Sequence, residues 1–94
     1  MQMTVDSAKL LLGFEQAADA YEQFLTHYPN FEQIEQVELM LGVIYARYLH
    51  RYDRARQLLL RALARLHTER EIQWARSELE RIEPLITPQQ GPQG

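Results

Sequence analysis

Apolar residues recur at spacings of three and four along most of this chain, and no stretch alternates between apolar and polar residues for long. Such spacing places apolar side chains on one face of an α-helix, whereas a half-buried strand requires a period of two. The clearest such face contains Ala55, Leu58, Leu59, Ala62 and Leu66. The sequence therefore predicts an all-α fold.

The first predicted helix runs from about Asp6 to His27. It ends before Pro29, because proline disfavours the helical conformation in the residue that precedes it. Gly13 lies inside this helix and is a candidate for a kink or a break.

The second predicted helix begins with Asn30 as its N-cap, since Asn30-x-x-Gln33 resembles a capping box. It continues to about Leu49, and a third helix spans about 52–66.

A capping box, Thr68-x-x-Glu71, introduces the fourth predicted helix, and Glu83-Pro84 is expected to stop it. Residues 88–94 contain only proline, glutamine and glycine. They are predicted to form a disordered tail after a helical domain of residues 1–87.

Composition narrows the class of protein. The apolar share of 46% and the charged share of 24% are those of a globular domain, and 94 residues suffice for a single core. There is no cysteine, which excludes disulfides and zinc–thiolate sites. No apolar run is long enough to span a bilayer, so we expect a soluble segment without membrane insertion, in a cytoplasmic or periplasmic setting.

Residue types that carry catalysis are sparse. His27, His50 and His67 fall at predicted helix ends, where the helix dipole favours them, and their spacing is not that of metal ligands. Phosphate-binding glycine loops and nucleophile elbows are absent from the sequence. We therefore expect no enzyme activity, no cofactor and no metal.

Charge is divided between the two halves of the chain, whose net charge is -3. The predicted third helix carries Arg54, Arg61 and Arg65 on one face, and the first carries an acidic stripe of Glu15, Asp19 and Glu22. The two stripes can meet across a hairpin or between subunits. The arginines also leave a nucleic-acid adaptor as an alternative function, although the acidic total and the scarcity of lysine argue against nucleic-acid binding.

Two segments resemble each other at a period of about 38 residues. They are Ala17-x-x-x-Tyr21-x-x-Phe24-Leu25-x-x-x-Pro29 and Ala55-x-x-x-Leu59-x-x-Ala62-Leu63-x-x-x-His67. Between them, Leu41-Gly42-x-x-Tyr45 contains a glycine that lets two helices approach closely. Together these motifs resemble the tetratricopeptide repeat (TPR) family, and especially the slightly lengthened repeats of bacterial envelope proteins.

The resemblance implies antiparallel helical hairpins of the α-solenoid type, with one full repeat at about 28–67, a half repeat before it and a capping helix after it. An array that begins in the middle of a repeat suggests a piece of a longer protein. Residues 30–63 also resemble the soluble TPR-like tails of bacterial membrane proteins, which implies a membrane-associated parent. The chain departs from the family pattern in three places. Glu38 replaces a large aromatic residue, His67 replaces a proline, and one extra residue separates Tyr45 from Ala55.

The TPR resemblance also implies the function, which is binding to a protein or peptide. The concave surface of the repeat would be lined by Gln36, Leu39, Val43, Ala46 and Arg47. Because this surface is apolar, we expect it to bind a partner helix or hydrophobic peptide. Two alternatives stay open for Leu39 and Val43: packing inside the chain, or packing against a twin subunit in a homodimeric scaffold.

Overall fold

The computed structural model describes residues 3–86 of the chain. Four α-helices follow one another: α1 Met3–His27, α2 Ile34–Ile44, α3 Tyr52–Arg65 and α4 Glu69–Ile86. α2 continues directly into a π-helical turn, Tyr45–Leu49. No strand occurs within residues 3–86, so the prediction of an all-α fold with four helices is confirmed.

α2 lies at the centre of the fold. α1 packs against α2 and the π-helical turn, while α3 packs between α2 and α4. α2 and α3 approach closely at Gly42, where a β-carbon would lie 2.9 Å from the Cγ of Leu59. The predicted role of this glycine in close helix packing is therefore confirmed.

The apolar face predicted for the third helix forms much of the core. Ala55, Leu58, Leu59 and Ala62 are fully buried, and Leu66 is nearly so. Burial of each leucine side chain contributes roughly 1.5–3 kcal/mol to stability. Three arginines of α3 lie outside this buried face: Arg54, Arg61 and Arg65. The packing of α3 therefore determines where these positive charges lie on the protein.

The start of the second helix differs from the prediction. α2 begins at Ile34, and its N-cap is Gln33, which makes no side-chain capping hydrogen bond. Backbone turns occupy the preceding residues, with the Phe31 amide donating to the Tyr28 carbonyl at 3.1 Å. The Phe31 ring packs edge-on against Phe24 of α1 at 5.2 Å, which favours a tight turn over an earlier helix start.

Glycine and proline interrupt the helices less than the sequence suggests. α1 is unbroken across Gly13. A β-carbon at this position would have no neighbouring atom within 4 Å, so no other helix packs closely against Gly13. α4 continues through Pro84 to Ile86, so the predicted stop at Glu83-Pro84 is wrong. Pro84 lies in the last turn, where a missing N–H removes only one hydrogen bond near the helix end.

The predicted N-cap of α4 at Thr68 is confirmed, although the Glu71 carboxylate binds the Thr68 hydroxyl and not the Thr68 backbone N–H. The Glu71 amide donates to the Thr68 hydroxyl oxygen at 3.4 Å, and that hydroxyl donates to the Glu71 carboxylate at 2.9 Å. None of the helices within residues 3–86 is long and apolar enough to cross a membrane. The predicted tail at 88–94 lies outside the described residues.

The π-helical turn is the one element that the helix spacing does not predict. It ends at His50, which adopts a left-handed conformation with φ 54°, and the Arg51 amide donates to the Tyr45 carbonyl at 3.0 Å. The turn coincides with the extra residue between Tyr45 and Ala55. A wider helical turn accommodates one additional residue without breaking the helix.

Candidate functional site

The five residues predicted to line a binding surface separate into two groups. Leu39, Val43 and Ala46 are buried in the core by the chain's own helices, whereas Gln36 and Arg47 are exposed. The structure therefore matches the alternative in which Leu39 and Val43 pack inside the chain. A partner would meet only Gln36 and Arg47 of this set, and their partner-binding role stays a prediction.

Arg47 has an intramolecular contact that the sequence did not indicate. Its Nε donates to one carboxylate oxygen of Glu78 at 2.8 Å, and Arg81 Nη2 donates to the other oxygen at 2.8 Å. Burial alone would raise the pKa of Glu78, but the two arginine hydrogen bonds outweigh it and lower the pKa. We call Glu78 with Arg47 and Arg81 the Glu78 clamp. It joins the π-helical turn that follows α2 to α4.

The acidic and arginine stripes meet within one chain. Arg54 Nη2 donates to Glu22 Oε1 at 2.6 Å and its Nε donates to Glu22 Oε2 at 2.9 Å, linking α3 to α1. The Tyr45 hydroxyl donates to the same carboxylate at 2.8 Å. The Arg54 hydrogen bonds lower the pKa of Glu22, while burial and the Glu22 contact raise the pKa of Tyr45 to about 12.

A groove of about 610 Å³ lies between α1 and α3, with buried residues of α2 at its base. We call it the charged groove, defined by Glu22, Glu38, Arg54, Arg61 and Arg65. The pair of Glu22 and Arg54 bridges the two helices at one end, and Arg65 lies at the other. This volume is within the range of small-ligand sites.

Glu38 is the unusual residue of the charged groove. It is only 6% exposed, and its Oε1 has no hydrogen-bond partner within the described chain. Its Oε2 lies 3.7 Å from Arg61 Nε, too far for a good hydrogen bond. Burial raises the pKa of Glu38, and the nearby positive charge of Arg61 offsets this only in part.

One feature of the sequence pointed to Glu38 and the charged groove. Glu38 stands where the TPR resemblance implies a large aromatic residue, so a carboxylate in that position already marked a departure. Periodicity could not show that the carboxylate would lack a hydrogen-bond donor. That outcome depends on where α3 places Arg61 and Arg65 relative to α2.

An exposed apolar surface lies beside the π-helical turn. We call it the leucine patch, consisting of Leu11, Leu12 and Tyr48, all of which are exposed. Leu11, Leu12 and Tyr48 line a hollow of about 520 Å³. The Tyr48 ring stacks on Phe14 at 3.9 Å, which fixes this surface against the body of the fold.

No group of three or more histidine, cysteine, aspartate or glutamate residues among the described residues of the chain could hold a metal ion. His27 and His50 occupy helix ends, and His67 lies in the turn before α4, all of them exposed. The notable chemistry of the described residues is therefore the charged groove and the leucine patch.

α2 pairs with α3, and these two helices are flanked by α1 and α4. The motifs that suggested the resemblance are distributed over α1, α2 and α3. Comparison of the chain with family models, with curated proteins and with solved structures found no match.

Proposed function

We propose that this chain is a non-catalytic, TPR-like interaction module that binds an apolar helical segment of a partner protein through the leucine patch. The observation that carries the proposal is the exposure of three apolar side chains around one hollow, at 49% for Leu11, 60% for Leu12 and 42% for Tyr48. Contiguous exposed apolar surface is characteristic of association sites. Covering such side chains contributes roughly 1.5–3 kcal/mol each.

A helix suits the shape of this surface. The hollow beside Leu11 and Leu12 is bordered by Tyr48 and Leu49, with the polar residues Glu15 and His50 at its rim. An apolar side chain of a partner helix would enter the hollow, and its polar face would meet the rim. This is the arrangement by which amphipathic helices bind in hydrophobic grooves.

A second copy of the chain is the runner-up occupant, because consecutive leucines on α1 can pack against the same leucines across a two-fold axis. Charge does not support this arrangement further. Glu22 is already paired with Arg54 inside the chain, and Glu15 lies 3.8 Å from Arg51. The homodimer therefore rests on the apolar patch alone.

A nucleic-acid adaptor is the least supported alternative. Arg54 is held by Glu22, and Glu78 binds both Arg47 and Arg81. Arginines held by carboxylates of the same chain neutralise fewer phosphates. The internal ion pairs thus reduce the positive field that such a function requires.

The proposal is tested with Leu11→Glu, titrating the chain with a fluorescein-labelled, leucine-rich amphipathic model helix. We expect the substitution to weaken binding at least about tenfold, because a carboxylate would have to be desolvated in the apolar contact. Leu60→Glu is the matched control, since Leu60 is 45% exposed on α3 outside the patch. Circular dichroism of both variants should retain the helical signal.

Equal binding of the model helix by the wild type and Leu11→Glu would overturn the proposal. Sedimentation equilibrium of the same proteins identifies the occupant. A dimer that Leu11→Glu dissociates and Leu60→Glu leaves intact would assign the patch to a second copy of the chain.

A further inference from the structure

We propose that the charged groove is a second binding site, which takes an acidic segment of a peptide. In this complex a carboxylate of the peptide pairs with Arg61 and Arg65, and a main-chain N–H of the peptide donates to Glu38. The site is separate from the leucine patch and does not depend on it.

The first step is the unsatisfied acceptor. Glu38 Oε1 is buried without a hydrogen-bond donor from the described chain, whereas nine in ten or more buried polar groups have a partner. Glu38 lines the groove, and because the terminal torsion of glutamate is broad, a partial rotation of its carboxylate costs little. An acceptor oxygen can thus face the groove, where a ligand N–H would satisfy it.

The second step is the arrangement of the arginines. Arg61 and Arg65 are four residues apart and therefore adjacent on the same side of α3. Arg61 Nε is 3.7 Å from Glu38 Oε2 with a side chain that is 61% exposed, and the positive charge of Arg65 also acts on Glu38. Arg65 forms no ion pair shorter than 4.0 Å within residues 3–86. Arg54 differs, because Glu22 binds it at 2.6 Å. The positive charge available to a ligand is therefore at the Arg65 end of the groove.

The third step is the chemistry that matches both features. Apolar side chains also line the groove, including Leu25, Ile34 and Ala64. An acidic peptide supplies a carboxylate, an N–H donor and an apolar side chain within a few bonds of one another. A phosphodiester backbone supplies anions but no donor for Glu38, and the carboxylates of Glu22 and Glu38 would repel a long polyanion.

The experiment uses acetyl-Leu-Glu-Glu-Leu-amide as the probe and acetyl-Leu-Gln-Gln-Leu-amide as its neutral match, with binding followed by NMR titration. We expect the acidic probe to bind the wild type about tenfold more tightly than the neutral probe, because only carboxylates gain charge-assisted hydrogen bonds. Arg65→Met should abolish this difference. Arg76→Met is the matched control, because Arg76 is exposed on α4 and distant in sequence from the groove residues of α3.

The hydrogen bond to Glu38 is tested by probes in which one main-chain N–H at a time is replaced by an ester oxygen. At least one replacement should weaken binding to the wild type several-fold and have no effect on binding to Glu38→Met. This comparison is a double-mutant cycle, so it isolates the contact from the charge that Glu38 also carries.

Three results would overturn the proposal: equal affinities of the two probes, equal losses in Arg65→Met and Arg76→Met, or tighter binding of a single-stranded oligonucleotide than of the acidic probe. Leu11→Glu should bind the acidic probe as the wild type does. Failure at the charged groove is therefore distinguishable from failure at the leucine patch.

Discussion

Glu78 and Glu38 are both buried, with 1% and 6% of their surface exposed, but the fold supplies hydrogen-bond donors to them very unequally. Glu78 accepts from Arg47 and Arg81, each at 2.8 Å. Glu38 has Arg61 at 3.7 Å and one oxygen with no partner in the described chain. The pKa of Glu78 is consequently lowered, and that of Glu38 is raised.

The difference shows that donors, and not burial, decide whether a buried carboxylate is stabilised in its charged form. It also separates two roles. The Glu78 clamp holds α4 against the π-helical turn, so the charge of Glu78 stabilises the fold. Glu38 lines the charged groove with one unsatisfied oxygen, which is the trade-off between stability and function expected at the binding site that we propose there.

The largest expected effect is that of Glu78→Gln. The substitution keeps the size of the side chain but removes the charge that both arginines bind, so we expect a loss of about 1.5–3 kcal/mol at neutral pH. Urea unfolding monitored by circular dichroism measures it. Glu80→Gln is the control, since Glu80 is exposed on the same helix. Equal stability of the two variants would contradict a structural role for the clamp.

The substitution Glu38→Met should change the free energy of unfolding in the opposite direction and stabilise the protein. Methionine has a similar shape and no polar atom to satisfy, and removal of an unsatisfied buried polar group should stabilise the protein by about 1 kcal/mol at neutral pH. Thermal unfolding measures the change. A destabilisation as large as that of Glu78→Gln would mean that Glu38 is already well hydrogen-bonded in solution.

The smallest expected effect is the pH dependence of the stability changes caused by Glu78→Gln and Glu38→Met. The folded pKa of Glu78 lies below its unfolded value of about 4.3, so its stabilising contribution is present above that value and is lost as pH falls through the folded pKa. The folded pKa of Glu38 lies above the unfolded value, so its contribution is present below about 4.3 and is lost as pH rises through the folded pKa.

Urea unfolding across this range should therefore show two opposite trends. The stability gain of Glu38→Met should shrink as the pH is lowered from neutral towards about 4.3. The stability loss of Glu78→Gln should persist to that pH and shrink only below it. Parallel trends for the two variants would remove the distinction between the two glutamates.

The sequence alone determined the elements whose cause is local. The spacing of three and four predicted the all-α fold and the buried face of α3, and Thr68-x-x-Glu71 predicted the start of α4. Gly42 predicted the close approach of α2, because only a residue without a side chain permits it. The exposure of Leu10, Leu11 and Leu12 was also foreseeable, since three consecutive residues cannot share one helix face.

Only the tertiary structure decided which face of α2 is covered and which charges meet. Leu39 and Val43 lie in the core because the other helices cover them, although the same apolar pattern also fits an exposed groove. Glu78 obtains two arginine donors, whereas Glu38 obtains none at hydrogen-bond distance. Helix periodicity fixes the direction of each side chain around its own axis, but contacts across helices depend on the separation and register of the packed helices.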